Sequence, residues 1–105
     1  MIYDCDSLNE YKELISENER VIVMFMADQD TMSKMMAPLF DDLAEANSDI
    51  VFGKVDVAKN PEIRNEAQVG NIPGFRFFKS GELNRELSET KNTALPDLIT
   101  RFKQL

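Results

Sequence analysis

The chain has 105 residues, of which 43% are apolar and 30% are charged, and its net charge is −7. These values predict one globular domain over residues 1–105, large enough to form a core without disulfides. The sequence contains a single cysteine, Cys5, and no histidine. An internal disulfide, a zinc site of the usual kind and Ser-His or Cys-His catalysis are therefore excluded. No cofactor or metal is expected.

Charge is distributed unevenly along the chain. Residues 1–52 contain 12 acidic and 3 basic residues, whereas residues 53–105 contain 7 acidic and 9 basic residues. An acidic chain repels a phosphate backbone, so nucleic-acid binding is not expected. No targeting segment is visible, and the longest apolar run, residues 21–27, is too short to span a membrane. These features predict a cytoplasmic protein without membrane contact.

Hydrophobic spacing and turn residues predict alternating helices and strands. Helices are expected at residues 7–17 and 32–46, from Pro61 to about Val69, and after Thr93, and strands at residues 21–26, 50–57, 75–79 and 82–87. Ser7, Asn60 and Thr93 are the expected N-caps. Because strands alternate with helices, the core should be a parallel sheet, to which the final hairpin adds an antiparallel strand.

Two helices are predicted to have apolar faces. In the second helix, which Pro38 should kink, the repeating residues are Met32, Met35, Met36, Leu39, Phe40 and Leu43. The last helix should bury Leu95, Leu98, Ile99, Phe102 and Leu105. Most of the methionines should pack in the core, and Met32 is left open between a core position and an exposed contact.

Several segments, taken in order, resemble the thioredoxin family. The matching segments are Val23–Ala27, Lys34, Pro38, Lys54–Val57, Asn60-Pro61, Ile72-Pro73 and Phe77–Glu82. The resemblance covers nearly the whole chain. It implies an α/β thioredoxin fold, with a central mixed sheet of four to five strands flanked by about four helices. It also implies a cis proline at Pro73.

The same resemblance places the family's Trp-Cys-x-x-Cys motif at five positions where this chain has Gln29, Asp30, Thr31, Met32 and Ser33. Asp30 replaces the attacking cysteine, Ser33 replaces the resolving cysteine, and Met24 replaces the family's buried Asp. Disulfide exchange needs a thiolate and a second thiol. The family's oxidoreductase activity is therefore not expected to carry over, and Asp30 and Ser33 are interpreted as vestigial positions.

One residue of this motif and two residues outside it have more than one interpretation. Asp30, at the start of a helix, should be an N-cap, and a catalytic acid is the alternative. Asp28 and Asp30 together suggest a cation site, against which a solvated acidic loop is favoured. Lys54 matches a semi-buried lysine of the family and should either reach solvent or find an acidic partner.

Cys5 also has two interpretations. A small buried side chain is expected, and the alternative is a redox sensor or an intermolecular disulfide. The neighbouring Asp4 and Asp6 disfavour the thiolate.

In the family, the residue before the cis proline offers its backbone to an extended peptide. We therefore expect Gln29–Ser33 and the loop Ile72-Pro73-Gly74 to form a partner-binding groove, with Ser88-Glu89 as a further candidate. The acidic residues of the first half should favour a basic patch on that partner. These residues are Asp28, Asp30, Asp41, Asp42 and Glu45.

The leading hypothesis is a redox-inactive protein that binds a protein or peptide in a chaperone, assembly or scaffold role, as a monomer or weak dimer. The alternative is a thiol-disulfide oxidoreductase family member with residual or glutathione-linked activity. Deliberate alteration of the motif is a third interpretation.

Overall fold

The computed structural model describes residues 1–89 and 94–105, without the side chain of Glu89. In chain order the strands are β1 (Ile2–Asp4), β2 (Arg20–Met26), β3 (Val51–Asp56), β4 (Gly74–Lys79) and β5 (Glu82–Asn84). The helices are α1 (Leu8–Ser16), α2 (Thr31–Ala46), α3 (Pro61–Ala67), α4 (Arg85–Glu89) and α5 (Leu95–Phe102). In this described part of the chain, no helix combines the length and apolar character needed to cross a bilayer.

The five strands form one mixed sheet in the order β1-β3-β2-β4-β5. Strands β1, β3 and β2 run parallel, while β4 pairs antiparallel with β2 and with β5. The expected mixed sheet is therefore confirmed. Because Phe25 lies opposite Gly74, the end of β2 and the start of β4 meet at one edge of the sheet, together with the ends of β1 and β3. We call this the carboxyl edge.

Helices pack on both faces of the sheet and form two apolar cores. The run Val21–Phe25 of β2 is fully buried and alternates between the two cores. On one face, α2 and α5 contribute Phe40 and Phe102, whose rings lie 5.3 Å from Phe52 and 5.2 Å from Phe77. The other face is covered by α1 and α3. A strand buried on both sides explains why β2 has no polar alternation.

Local side-chain bonds set the beginning of α1. The hydroxyl of Ser7 accepts a hydrogen bond from Glu10 N–H at 3.1 Å, and the Glu10 carboxylate accepts one from Asp6 N–H at 3.2 Å. The Ser7 cap is therefore confirmed. The reciprocal bond reaches Asp6, one residue earlier than in the usual capping box.

One strand prediction was wrong: the strand expected over residues 82–87 ends at Asn84 and continues as α4. Strand β1, for which the apolar pattern predicts no bounds, is the fifth of the four to five strands expected. The Asn84 side-chain oxygen accepts a hydrogen bond from Leu87 N–H at 2.9 Å, and Ser88 Oγ donates to the Asn84 carbonyl at 2.6 Å. These bonds stabilise a helical turn in place of an extended chain, and they place Leu87 in the core.

Predictions about the helix ends also need correction. Asn60 occupies the N-cap position of α3, but its amide donates to the Asp56 carbonyl and caps no N–H. Thr93 lies outside the described residues, and the N-cap position of α5 is Ala94. Leu105, expected on the buried face of the last helix, is 47% exposed because it lies beyond the end of α5.

Candidate functional site

The sheet topology brings the two predicted groove segments to the carboxyl edge. Residues 27–30 follow β2, and residues 71–73 precede β4, which pairs antiparallel with β2. Ligands of open α/β sheets commonly bind outside the carboxyl ends of the strands, close to the point where the strand order reverses. The start of α2 and the loop before β4 are therefore the natural place to look for a site.

Asp30 and Ser33 bind each other at the beginning of α2. One oxygen of the Asp30 carboxylate accepts hydrogen bonds from Ser33 N–H at 2.9 Å and from Ser33 Oγ at 2.8 Å. The prediction that Asp30 is an N-cap is confirmed. Ser33 is only 1% exposed, and its hydroxyl also accepts a bond from Ala27 N–H at 3.3 Å. Both side chains thus hold the loop to the helix.

Gln29, Thr31 and Met32, the other residues of this segment, are exposed. Met32 is 52% exposed, which decides between its two interpretations in favour of an exposed position. The side chains of Asp30 and Ser33 therefore fasten the loop to the first turn of α2, while Gln29, Thr31 and Met32 present amide, hydroxyl and thioether groups to solvent.

The loop before β4 presents backbone groups. The peptide bond between Ile72 and Pro73 is cis, and Ile72, Pro73 and Gly74 are all half-buried. Among the described residues, no hydrogen bond is made by the N–H or the C=O of Ile72. A Cβ placed on Gly74 would lie 3.5 Å from the Asn71 carbonyl oxygen, which is an ordinary contact. Sterics within the chain therefore do not require a glycine at position 74.

An acidic corner lies beside the start of α2, at the end of β3. Lys59 Nζ donates to the Asp28 carboxylate at 2.8 Å. This hydrogen bond and the lysine charge hold the pKa of Asp28 below its ordinary value, and Asp28 in turn raises the pKa of Lys59. Because both side chains are solvent-exposed, the pair adds little to stability and is screened by salt.

Asp56 organises the same corner from the end of β3. Its carboxylate accepts hydrogen bonds from the N–H groups of Asp28, Ala58 and Lys59, at 3.2, 2.9 and 3.1 Å. Sequence reasoning missed Asp56 and Lys59, although an Asp that follows a buried strand is a signal that could have found the first. Asp28 therefore lies in an ordered loop, with its side chain exposed to solvent.

Lys54 makes no ion pair with any described residue. It is half-buried opposite Met24 of β2 and Asp4 of β1. With acidic neighbours that include Asp4, Asp6 and Asp28, it lines a cavity of about 250 Å³. No group of three or more potential metal ligands among the described residues is arranged to hold an ion.

Cys5 lies just beyond β1 and is 3% exposed. Its backbone N–H donates to the Lys54 carbonyl at 2.9 Å, which extends the pairing of β1 with β3. Burial, reinforced by the carboxylates of Glu10, Asp4 and Asp6, raises the pKa of the thiol from 9.0 to about 11. The prediction of a buried cysteine is confirmed.

We expect the native Cys5 thiol to react with Ellman's reagent at least about 100-fold more slowly than in the chain unfolded by guanidinium chloride, because a two-unit rise in pKa removes that much thiolate. The folded chain favours the neutral thiol over the thiolate. The contribution of the neutral thiol to the free energy of unfolding is therefore fully present below the ordinary pKa of 9.0, and it is lost as the pH rises to about 11. A Cys5→Ser variant is the blank, and equal rates in the folded and unfolded chain would contradict this assignment.

These features define an α/β protein whose five-stranded mixed sheet lies between two layers of helices, with a cis-proline loop beside the start of a long helix. A sequence model of the thioredoxin family, described as Thioredoxin, matches residues 4–101. The chain belongs to the thioredoxin family.

Known thioredoxins resemble the chain over nearly its whole length. It is 30% identical to thioredoxin 1 of Plasmodium falciparum, covering 97% of this chain and 98% of that protein. It is 32% identical to thioredoxin of Callithrix jacchus, covering 97% and 99%. The crystal structure of oxidized mitochondrial thioredoxin 3 from Saccharomyces cerevisiae superposes with a TM-score of 0.81 at 30% identity, covering 99% of this chain and 95% of that chain. The predicted thioredoxin fold is confirmed.

Proposed function

We propose that the chain is a thioredoxin-family member that lacks the Cys-x-x-Cys motif and works by binding a protein or peptide at the carboxyl edge. The observation that carries this proposal is the bond between Asp30 and Ser33. These two side chains occupy the positions that the resemblance assigns to the two cysteines, and neither carries a thiol. The groove proposed for the partner consists of residues 29–33 and Ile72–Gly74.

Disulfide exchange requires a thiolate that attacks one sulfur of the substrate disulfide and a second thiol that resolves the mixed disulfide. This chain has one sulfhydryl group in total. That group is buried, and its pKa of about 11 leaves little thiolate at neutral pH. A two-thiol cycle within the chain is therefore not available.

Unpaired backbone groups and exposed side chains at the carboxyl edge support partner binding. The unpaired N–H and C=O of Ile72 can extend a strand-like hydrogen-bond pattern to a peptide, as in other cases of strand addition. Exposed Gln29 lies on the loop that follows β2, and exposed Thr31 and Met32 lie in the first turn of α2. A peptide held by the backbone needs no thiol, so this use of the groove is independent of positions 30 and 33.

The alternative is an oxidoreductase with residual or glutathione-linked activity, and family membership favours it. The relatives that match the chain are named thioredoxins. Under this alternative, the backbone of the cis-proline loop binds glutathione, and Cys5 or a partner supplies the thiol. The two candidates differ in whether the protein turns over a disulfide.

An insulin-reduction assay with dithiothreitol separates the two candidates. We expect the rate with the wild-type chain to equal that of dithiothreitol alone, because the chain has no thiol pair, and a commercial thioredoxin serves as the positive control. Turnover that disappears in the Cys5→Ser variant, or saturable glutathione binding by calorimetry, would establish the alternative.

Binding is tested with insulin B chain whose cysteines are alkylated, so that no disulfide can form. We expect its addition to shift the backbone NMR signals of Ile72 and Gly74. Gln29→Arg should weaken this binding, since it places a long charged side chain in the loop. Gln104→Arg adds the same charge at an exposed position far along the chain and should have no effect. Equal loss in both variants would count against the groove.

The proposed location is the cytoplasm, and the proposed state is a monomer or weak dimer. Sedimentation at several protein concentrations tests the second point, and cell fractionation tests the first.

A further inference from the structure

Helix α2 exposes three large apolar side chains on one side. Met32, Met35 and Leu39 are 52%, 66% and 37% exposed. Their spacing of three and four residues places them along a single line, which we call the α2 stripe. The opposite side of the helix buries Phe40 and Ala44. Within the described residues, no other helix or strand exposes more than one large apolar side chain. Met35 is an exception to the expectation that most methionines pack in the core, and the helical spacing of Leu39 does not bury it.

A carboxylate borders the stripe, and two more lie further around α2. Asp42 follows Met35 by seven residues and therefore lies beside the stripe, two turns further along α2. Asp41 and Glu45 lie further around the same helix. All three carboxylates are exposed, and none has an ion-pair partner among the described residues. Lys34, the only basic residue of α2, precedes Asp41 by seven residues and shares its side of the helix. The charged side chain next to the stripe is therefore the carboxylate of Asp42.

We propose that the α2 stripe docks a basic amphipathic helix of the partner, an inference that rests on the proposed function of binding a protein. A helix with apolar side chains three to four residues apart can pack along the stripe over two turns, roughly 10 Å. Methionine side chains adapt to the shape of such a ligand. Lysine or arginine beside the apolar face of the ligand would meet Asp42, which steers association.

The charge of the surface argues for this occupant over two others. A second copy of the chain also has a net charge of −7 and would bring like charges of two α2 helices together. An anionic membrane surface is repelled for the same reason. A basic helix is attracted to the border and covers the apolar stripe, so it satisfies both features.

The probe is a synthetic leucine/lysine peptide whose leucines form one face of a helix. It is added to protein with isotope-labelled methionine methyl groups and followed by NMR. We expect the Met35 signal, which lies outside the proposed groove, to shift, and the signal of buried Met24 to stay in place. A leucine/glutamate peptide with the same leucine pattern should change nothing, because its charges match those of the border.

Variants at exposed positions test the stripe without disturbing the core. The double variant Met35→Gln, Leu39→Gln should weaken the affinity for the leucine/lysine peptide by at least about tenfold. Leu105→Gln removes a similarly exposed side chain elsewhere and should leave the affinity unchanged. Asp42→Asn should weaken binding several-fold, whereas Asp97→Asn, which removes the same charge from α5, should have a smaller effect. Thermal unfolding confirms that each variant is folded.

Three results would overturn the inference. One is equal binding of a scrambled leucine/lysine peptide. Another is stripe-dependent binding to phosphatidylserine vesicles, and the third is self-association that the double variant abolishes.

Failure of the leucine/lysine peptide to bind, while the alkylated insulin B chain binds the groove, would defeat this inference alone. Binding at the stripe without binding at the groove would support the docking surface and count against the groove.

Discussion

Replacing Asp30 and Ser33 together by cysteine is expected to give the chain disulfide reductase activity. A thiol at position 30 stands at the start of α2, where the helix dipole and unpaired N–H groups stabilise a thiolate and lower the thiol pKa. That thiolate attacks a substrate disulfide and displaces one substrate thiolate. The thiol at position 33 then attacks the mixed disulfide, which releases the reduced substrate and leaves a disulfide between positions 30 and 33.

The geometry for this reaction is already present. The side-chain oxygens of Asp30 and Ser33 lie 2.8 Å apart, so two thiols at these positions should be within bonding range after small adjustments. We expect insulin reduction at least about tenfold above the wild-type rate, since each unit by which the pKa falls exposes tenfold more thiolate. The rate should stay below that of a thioredoxin with the full motif, because Gln29 still replaces the family's Trp and Met24 still replaces its buried Asp.

The single variant Asp30→Cys is the matched control. It should form a mixed disulfide with substrate but should not turn over, because Ser33 cannot resolve the intermediate. A folded double variant that neither forms the internal disulfide nor reduces insulin would contradict the assignment of these two positions to the cysteines of the family.

Replacing Asp30 by alanine is expected to lower the free energy of unfolding by about 2–3 kcal/mol, because the helix loses its cap and the buried Ser33 hydroxyl loses its acceptor. For a chain of this size the melting temperature should fall by roughly 10 °C or more. Thermal and guanidinium unfolding measure the effect. Asp30→Asn keeps an acceptor oxygen and should lose less.

Two comparisons make this second prediction specific. Asp41→Ala removes an exposed carboxylate from the interior of the same helix and should change stability by no more than about 0.5 kcal/mol. A double-mutant cycle with Asp30→Ala and Ser33→Ala should give a coupling energy of about 1–2 kcal/mol. Equal losses for Asp30→Ala and Asp41→Ala, or a coupling near zero, would show that the bond between Asp30 and Ser33 is not what stabilises the start of α2.

Features set by neighbouring residues could be predicted from the sequence. The fully buried run of β2 shows as continuous apolar sequence, and the caps at Ser7 and Asp30 follow from side chains that reach only three residues ahead. The resemblance placed β2 and the start of α2 in the right order, and α1 followed from its apolar spacing and its cap.

Features that depend on distant residues or on competition between local bonds could not be predicted. Three residues of β1 carry no periodicity, and their pairing partner, β3, lies about fifty positions away in the chain. The hydrogen bonds of Asn84 outweigh an apparent strand pattern in the residues that follow. In α2 the apolar residues cover more of the circumference than can face the sheet. Spacing alone could not show that Met35 and Leu39 lie outside.

Some features of the candidate site could be predicted from the sequence, and others could not. The segments 29–33 and 72–74 could be placed by resemblance, and their meeting at one edge follows from the antiparallel pairing of β2 and β4. The roles of Asp56 and Lys59 could not be foreseen, because both act on Asp28 across a long sequence separation. The burial of Ser33 depends on how α2 packs against the sheet.

The bond between Asp30 and Ser33 forms without an electron donor or acceptor. A cysteine pair at these positions would have an oxidised and a reduced form, and the two forms could hold a partner differently. This chain has no thiol pair at the start of α2, so no disulfide forms or breaks there in oxidising or reducing surroundings. Under the proposed binding function, a captured partner would therefore leave by dissociation alone.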